Sequence, residues 1–335
     1  MAVPDAPGQR IIAMDCAGFA ALTDTPTNDT GSVEVGRNHH AASRRVSQAN
    51  TIGDICIMAP VPPDSFGARM AHSMAWPTLE RIRHDAPLVH NITNFVVMNQ
   101  TANALLAVGA SPVMAHALEE VEDMVGFARA LVINIGTLSP EWVEAMRRAG
   151  RVAVARGIPI VLDPVGCGAT PYRTETATLL FNELRPAIVR GNASEILALA
   201  GGVAGTKGVD SSHTTAAVAE TAAAFARERG CVLSISGADD LILDGLRTAR
   251  VHNGHAIMMS ITGMGCTATA LTGAAAAVAT SPFDAAVDAM TIMGVCGEIA
   301  SEGSRGPGSF VPAFMDALWS LDRDTLTKAA RVSRD

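Results

Sequence analysis

The sequence predicts an α/β domain in which a mostly parallel central sheet carries helices on both of its faces. Four short β-rich apolar runs each close on Gly, Asp or Asn: ALVINIG (130–136), GIPIVLD (157–163), PAIVRGN (186–192) and CVLSISG (231–237). Runs that are apolar nearly throughout are typical of parallel strands buried on both faces. Helix-like segments separate them, and this alternation indicates the α/β class.

The segments between these runs predict helices. They are SPEWVEAMRRAGRVAVAR (139–156), TETATLLFNELR (174–185) and HTTAAVAETAAAFARER (213–229). Each combines helical periodicity with an N-terminal capping residue and a charged last turn. A later apolar run, AIMMSIT (256–262), leads through a Gly-Met-Gly-Cys turn into a further helix rich in Ala and Thr.

Composition limits the class of protein. The chain has 335 residues, of which 48% are hydrophobic, so it can bury a substantial core. A net charge of −8 without a Lys/Arg-rich run argues against a nucleic-acid partner. The 6 cysteines form no C-x-x-C pair, which predicts free thiols in a reducing cytoplasm. No run reaches the ~18 uncharged apolar residues of a membrane span, so we expect a cytoplasmic protein without a membrane partner.

The first 75 residues differ from the remainder. They contain DTPTNDTG (24–31), one His-His pair, one Arg-Arg pair and PVPP (60–63), without a sustained period of 2 or 3.6 residues. This predicts a disordered N-terminal extension for residues 1–75. The alternative is a mis-called leader, with the true start at Met70 or Met74. Residues 76–330 are predicted to form a single domain.

Polar residues follow the predicted strands where ligands of α/β proteins bind. In a parallel sheet, ligands lie beyond the carboxyl ends of the strands. Asp163 follows one run and precedes a proline, Arg190 and Asn192 end the next, and Ser236 ends a third. A guanidinium at this edge can clamp phosphate oxygens, whereas many loop arginines are only solvated. Asp163 suits either a ligand-binding carboxylate or an ordinary turn aspartate.

Two helix starts carry further candidates. The turn from Gly263 through Gly265 to Cys266 opens a helix whose amides and dipole favour anions, although Gly-x-Gly is also common in plain turns. It is neither a P-loop nor a dinucleotide fingerprint. Asn192 and Glu195 have the spacing of a capping box, or Glu195 holds Mg²⁺ at the strand ends. A thiol at a helix N-terminus has a lowered pKa, so Cys266 is either reactive or a small packing residue.

The segment from 87 to 124 mixes polar and apolar residues closely. Asn91, Asn94 and Asn99 would be costly to bury without partners. Asparagines among apolar side chains suit a site for a small, mostly apolar ligand with a few hydrogen-bonding atoms. The alternative is that they cap and terminate a strand.

Seven ordered blocks together resemble one family. PLVHNITNFVV followed by TANALLAVGASPVMA, LVINIGTLS, VLDPVGCGATPYRT, IVRGNASEI, HNGH, ITGMGC and GPGSF closely resemble the hydroxyethylthiazole kinases, from about Leu79 to Trp319. The resemblance implies a ribokinase-like fold and a homotrimer with sites at subunit interfaces. It also implies ATP-dependent phosphorylation of 4-methyl-5-(2-hydroxyethyl)thiazole in thiamine salvage. Residues 1–75 match nothing in the family.

The resemblance also implies residue roles. Asn94 and Met114 are then thiazole contacts, with Gly263 beside the reacting hydroxyl. Arg190 and Ser236 contact ATP, and Gly265 belongs to the anion-binding turn. Asp163, Asn192 and Glu195 match positions that organise Mg²⁺ and phosphates.

Cys266 matches the position at which related sugar kinases have an aspartate base. A thiol with a reference pKa of about 8.5 is a poor base, so positioning of the hydroxyl is the alternative role. Two residues depart from the family pattern: Met264 replaces a small residue, and Ser236 replaces Thr. The rival functions are a kinase of another small alcohol, such as a hydroxymethylpyrimidine, and a non-catalytic protein that binds nucleotide or thiazole.

Overall fold

One sheet organises the protein in the computed structural model, which describes residues 75–204 and 215–335. Within these residues nine strands follow the order β2-β1-β3-β4-β5-β6-β7-β8-β9. The strands are β1 (Leu88–Ile92), β2 (Ser111–Val113), β3 (Ala130–Asn134), β4 (Ile160–Asp163), β5 (Ile188–Asn192), β6 (Val232–Ser236), β7 (Asp240–Leu243), β8 (Thr248–Val251) and β9 (Val332–Arg334).

Helices cover both faces of this sheet, as the sequence predicts. One face packs against α1 (Ala75–Asp85), α2 (Met98–Val108), α8 (Met264–Ala276), α9 (Pro282–Gly303), α10 (Pro307–Ser320) and α11 (Arg323–Ala329). The other packs against α3 (Val121–Phe127), α4 (Pro140–Arg156), α5 (Pro171–Leu184), α6 (Ala193–Ala204) and α7 (Thr215–Arg229). Two apolar cores therefore sandwich the sheet, which is the arrangement expected of an α/β domain.

The strand register places the polar strand ends side by side. From β2 to β6 the strands are parallel, and β7, β8 and β9 continue the sheet antiparallel. Asn134 of β3 pairs with Asp163 of β4, and Asn192 of β5 pairs with Ser236 of β6. Because these residues end their strands, their side chains are brought to one edge of the sheet.

Local sequence explains why the crossover helices begin and end where they do. In α4 the Ser139 hydroxyl accepts from the amide of Trp142 at 3.2 Å, and Pro140 fills the first helical position. The helix ends at Gly157, whose φ of 67° lies in the left-handed region that glycine adopts without strain. The capping serine and the glycine that follows the 139–156 segment therefore define the two ends of α4.

Several boundaries differ from the sequence prediction. The apolar run at 256–262 forms a short 3₁₀-helix, Ala256–Ser260, before the turn into α8. The sheet closes with β9, beyond residue 330, because Val332 pairs with Val251 of β8. The expectation of a disordered extension or a mis-called leader for residues 1–75 lies outside the described residues up to residue 74, and Ala75 is the first residue of α1. None of the helices in 75–204 and 215–335 is long and apolar enough to cross a membrane.

Candidate active site

A cavity of about 710 Å³ lies where β4, β5 and β6 end. Its walls also include the start of α8 and the 3₁₀-helix that precedes it. Eight of the ten predicted site residues line it: Asp163, Arg190, Asn192, Glu195, Ser236, Gly263, Gly265 and Cys266. The structure thus brings together in one cavity residues that lie more than 100 positions apart along the chain.

The N-terminus of α8 provides backbone amides beside this cavity. Gly263 caps the helix with a φ of 86°, and a Cβ there would lie 2.6 Å from Cγ1 of Val97. Both facts favour glycine at this position. The first amides of a helix have no partner within the helix, and the macrodipole adds positive potential. This turn therefore has the properties of an anion site.

Arg190 contributes a buried positive charge next to that turn. Its side chain is only 9% exposed, and its Nε has no hydrogen-bond partner among the described residues. A Cβ on Gly265 would lie 2.8 Å from Nη1 of Arg190, so only glycine allows the guanidinium to approach the helix start this closely. A buried donor without a partner carries a desolvation cost, and an anion bound in the cavity would satisfy it.

Asp163 is the buried carboxylate of the site. It is 2% exposed, and its Oδ2 accepts hydrogen bonds from Asn134 Nδ2 at 2.8 Å and from Thr269 Oγ1 at 2.7 Å. Burial raises the pKa of Asp163 to about 6, while the charge of Arg190 and these two hydrogen bonds oppose the rise. The carboxyl group is therefore mostly ionised at neutral pH.

Glu195 and Asn192 form the capping box that their spacing predicts. The Asn192 amide donates to Glu195 Oε2 at 2.9 Å, and the Glu195 amide donates to Asn192 Oδ1 at 2.9 Å. The other oxygen of Glu195, Oε1, accepts from the amide of Gly166 at 2.8 Å. Glu195 therefore also ties the turn after β4 to the start of α6.

The acidic residues fit Mg²⁺ that arrives with a nucleotide better than they fit a metal held by the protein alone. Within residues 75–204 and 215–335, no group of three or more His, Cys, Asp or Glu side chains could hold a metal ion. Mg²⁺ is usually bound through one or two carboxylates together with phosphate oxygens and water. Asp163 and Glu195 both line the cavity and supply that kind of donor set.

Cys266 lies in the first turn of α8, but its thiol is not activated there. The pKa of Cys266 is raised, chiefly by burial and then by the negative charge of Asp163. Hydrogen bonds from Asn134 and Asn94 and the charge of Arg190 oppose this rise without reversing it. The sequence left open whether Cys266 is a reactive thiolate or a small packing residue, and the raised pKa argues against a thiolate because burial favours the neutral thiol.

Three site residues were not singled out from the sequence. Asn134 bonds to Asp163, Thr269 of α8 donates to the same oxygen, and Asp240 lines the cavity on β7. Burial raises the pKa of Asp240, and the charge of Arg190 opposes that rise. Asn134 carries the same signal that identified Asp163, namely a polar residue ending an apolar strand. Thr269 has no such signal, since a hydroxyl within a helix rich in Ala and Thr is unremarkable.

Comparison with known proteins decides the family. The family model described as "Hydroxyethylthiazole kinase family" matches residues 79–324. The chain is 57% identical to a hydroxyethylthiazole kinase of Oleidesulfovibrio alaskensis over 263 residues, which cover 78% of this chain and 99% of the relative. This chain belongs to the hydroxyethylthiazole kinase family.

Other members of the hydroxyethylthiazole kinase family give the same result in sequence and in structure. A hydroxyethylthiazole kinase of Nitratidesulfovibrio vulgaris is 52% identical over 259 residues, or 77% of this chain and 97% of its own length. The solved structure of the hydroxyethylthiazole kinase protein from Pyrococcus horikoshii superposes with a TM-score of 0.73 at 43% identity, covering 78% of this chain and 98% of that chain. The α/β fold with a mostly parallel central sheet expected from the sequence is confirmed.

The two remaining predicted site residues lie outside the cavity lining. Asn94 follows β1 and reaches Cys266 from the side, with its Nδ2 3.4 Å from Sγ. Met114 follows β2, where it packs against the core on the α8 side. Of the other asparagines in this block, Asn91 is buried within β1, and Asn99 is exposed on α2, where it accepts from Asn103 at 3.1 Å.

The two departures from the pattern of the hydroxyethylthiazole kinase family leave the site intact. Met264 turns its side chain into the core, where Gln100 Nε2 lies 3.6 Å from its sulfur, so the helix still begins at this residue. Ser236 keeps a hydroxyl at the end of β6 and donates it to the carbonyl of Gly191 at 3.3 Å. With Met264 in place of a small residue, α8 therefore still has a normal helix start.

Proposed function

We propose that this protein transfers the γ-phosphoryl group of ATP to the hydroxyl of 4-methyl-5-(2-hydroxyethyl)thiazole, in thiamine salvage and in the cytoplasm. Membership of a kinase family supports phosphoryl transfer. The observation that carries the assignment to this cavity is the guanidinium of Arg190, which has an unpartnered Nε and is held against Gly265 at the start of α8, beside Cys266. A cation and helix amides at one point suit the oxygens of a transferring phosphoryl group.

Each residue at the cavity has a role that follows from its chemistry. Arg190 and the first amides of α8 stabilise negative charge on the phosphates, and the Ser236 hydroxyl lies where it can bond to the nucleotide. Asp163 and Glu195 would hold Mg²⁺, which supplies charge neutralisation of the phosphates when bound. Phosphoryl transfer depends mostly on positioning and electrostatic stabilisation, and this site offers both.

Cys266 positions the acceptor hydroxyl in this proposal. Because its pKa is raised, the side chain is a neutral thiol at neutral pH and a poor proton acceptor. Cys266 follows Gly265 and lines the cavity, which supports a position for its thiol beside the attacking oxygen. A contact that aligns this oxygen with phosphorus contributes through orientation, without a proton transfer.

Replacement of this thiol tests the two roles. Cys266→Ala is expected to lower kcat by about 10-fold or less, well short of the ~10²- to 10⁴-fold of a lost general base, and Cys266→Ser should retain more activity. The wild-type kcat should also stay flat between about pH 7 and 8.5. Because the pKa of Cys266 is raised, pH 7 to 8.5 lies below it, and a thiolate base would make kcat climb by about 10-fold per pH unit across this range.

Two outcomes in these variants would contradict a positioning role for Cys266. A large loss in Cys266→Ala that Cys266→Asp partly restores would show that Cys266 acts as a base. Wild-type kcat and KM in Cys266→Ala would leave the backbone amides of the turn as the only contribution from this part of α8.

The thiazole side of the site supports assembly into a homotrimer with sites at subunit interfaces. Asn94 and Met114, the proposed thiazole contacts, lie at the ends of β1 and β2, outside the cavity lining. Next to Asn94, Phe95 is 65% exposed and Val96 is 66% exposed. Adjacent exposed apolar side chains suit burial by a second copy. Light scattering should give three times the mass of one chain, whereas Val96→Glu should give a smaller particle.

Measurement of ADP release tests the proposed function. We expect Mg²⁺-dependent ADP release with the thiazole alcohol and little with hydroxymethylpyrimidine. A preference for the pyrimidine alcohol would move the protein to another acceptor within the same reaction class. Binding of ATP and thiazole without turnover would contradict catalysis altogether.

A further inference from the structure

An unbroken line of side-chain hydrogen bonds joins the carboxylate of Asp163 to the sulfur of Cys266. Asn134 Nδ2 donates to Asp163 Oδ2 at 2.8 Å, and Asn94 Nδ2 donates to Asn134 Oδ1 at 2.8 Å. The second hydrogen of the same Asn94 amide points to Cys266 Sγ at 3.4 Å. The line crosses the ends of β1, β3 and β4 and finishes on α8.

The direction of every bond in this line is determined by groups that can act in only one way. The Val96 amide donates to Asn94 Oδ1 at 3.1 Å, and the Gly136 amide donates to Asn134 Oδ1 at 2.9 Å. A backbone N–H can only donate, and an ionised carboxylate can only accept. Neither asparagine can therefore turn over, so the group that faces the sulfur is an N–H.

Burial and packing hold this arrangement in place. Asp163, Asn134 and Asn94 are all buried, and hydrogen bonds are electrostatically stronger in such surroundings. Gly136 lies directly against Asn94, because a Cβ there would be 2.5 Å from Asn94 Nδ2 and 2.7 Å from Cγ. The glycine thus leaves the space that the Asn94 amide occupies.

We propose that Asn134 is a positioning residue that acts through Asn94: it holds an N–H group against the Cys266 sulfur and so fixes where the thiol stands at the start of α8. The sulfur then accepts from Asn94, and its remaining lone pair and its proton are left for the cavity. The importance of this for phosphoryl transfer rests on the proposed function. The effect on the thiol itself does not depend on that function.

A hydrogen bond donated to sulfur favours the thiolate, so the proposal can be measured on the thiol without any substrate. The charged groups that also act on Cys266 are Asp163 of β4 and Arg190 of β5, which work in opposite directions. Both remain in a variant of Asn134. A change in thiol reactivity in that variant is therefore a change in the hydrogen bonds.

The test is alkylation of the ligand-free full-length protein by iodoacetamide across a pH series. The Cys266 peptide is quantified by mass spectrometry, so that the other cysteines do not contribute. Asn134→Ala is expected to slow alkylation of Cys266 at pH 8 by about 3- to 10-fold and to move its profile to higher pH. Asn134→Asp loses the donor to Asp163 Oδ2 and adds a negative charge near the sulfur, so it should slow alkylation at least as much.

Two further variants test whether slower alkylation results from loss of this line of hydrogen bonds or from general damage to the site. Gly136→Ala leaves Asn134 untouched but displaces the Asn94 amide, so it should slow alkylation as Asn134→Ala does. Thr269→Val removes the other donor to Asp163 Oδ2 without touching Asn94, and its alkylation profile should match the wild type. Circular dichroism confirms folding, and Gly136→Ala decides the question where Asn134→Ala does not fold.

Kinetics then connect the thiol to the reaction. In Gly136→Ala, which leaves the bond from Asn134 to Asp163 in place, we expect kcat for the thiazole alcohol to fall while KM for ATP stays within about 2-fold. Alkylation profiles of folded Asn134→Ala or Gly136→Ala that superimpose on the wild type would overturn the proposal. Absence of kinase activity in the wild type would instead overturn the proposed function and leave the alkylation result standing.

Discussion

Arg190→Met is expected to reduce kcat/KM for ATP by about 10²- to 10⁴-fold, the largest effect of any substitution considered, in line with arginines that stabilise transferring phosphoryl groups. Methionine fills a similar volume without charge or donors. In the wild type the guanidinium is buried, has an unpartnered Nε and lies against Gly265. Its removal takes away the cation that faces the anion-binding turn.

The stability of this variant reflects two opposing changes. Loss of a buried donor without a partner favours the folded ligand-free protein, whereas loss of the cation beside buried carboxylates disfavours it at neutral pH. The same change removes a charge that holds down the pKa values of Asp163 and Asp240. Both carboxyl groups should therefore bind protons at higher pH than in the wild type.

Arg148→Met provides the matched control. Arg148 is a partly exposed arginine on α4 whose ion pair with Glu144 spans 3.1 Å at the surface. Such pairs contribute little to stability, so this variant should keep wild-type kinetics. Turnover in Arg190→Met within about 10-fold of the wild type would show that the helix amides bind the phosphates without the guanidinium.

The fold could be predicted where strands are buried on both faces. β3 to β6 appear in the sequence as apolar runs because helices cover both sides of the sheet at these strands. β7 (Asp240–Leu243), β8 (Thr248–Val251) and β9 (Val332–Arg334) were not predicted. They are short, and β9 pairs with a strand about 80 positions earlier in the chain, a relation that local patterns cannot express.

The positions of the site residues could be predicted from the sequence, but their pKa shifts and hydrogen-bond partners could not. Asp163, Arg190 and Glu195 were found because the carboxyl ends of parallel strands meet at one edge. The direction of the Cys266 pKa shift could not be decided from the sequence, since it depends on burial and on Asp163, which is 103 positions away. The partnership of Asn94 and Asn134 could not be read from spacing either, because it depends on how β1 and β3 lie next to each other.

The second large effect is expected in Glu195→Gln, where kcat should fall by about 10²-fold or more through the loss of a charge near the phosphates. The concentration of Mg²⁺ needed for half-maximal rate should rise in the same variant. Both readouts follow from Glu195 as a carboxylate at the cavity, and neither follows from a purely structural cap.

This substitution also carries a stability loss that the structure makes explicit. A glutamine side chain has the same shape as glutamate and could keep one cap hydrogen bond. Both carboxylate oxygens accept backbone amides, however, from Gly166 at 2.8 Å and from Asn192 at 2.9 Å. The amide group of glutamine can accept only one of them and presents its own N–H to the other. A loss of about 1–2 kcal/mol in the free energy of unfolding is therefore expected.

Ser281→Ala separates this stability loss from the loss of charge. Ser281 caps α9 by accepting from the Asp284 amide at 3.2 Å and donating to Asp284 Oδ2 at 2.6 Å, and it does not line the cavity. Its replacement should lower the free energy of unfolding by about 1 kcal/mol with wild-type kinetics. If Glu195→Gln shows the same pattern, with normal turnover and normal Mg²⁺ dependence, then Glu195 serves only as the cap of α6, and the metal must be held through Asp163, phosphate oxygens and water.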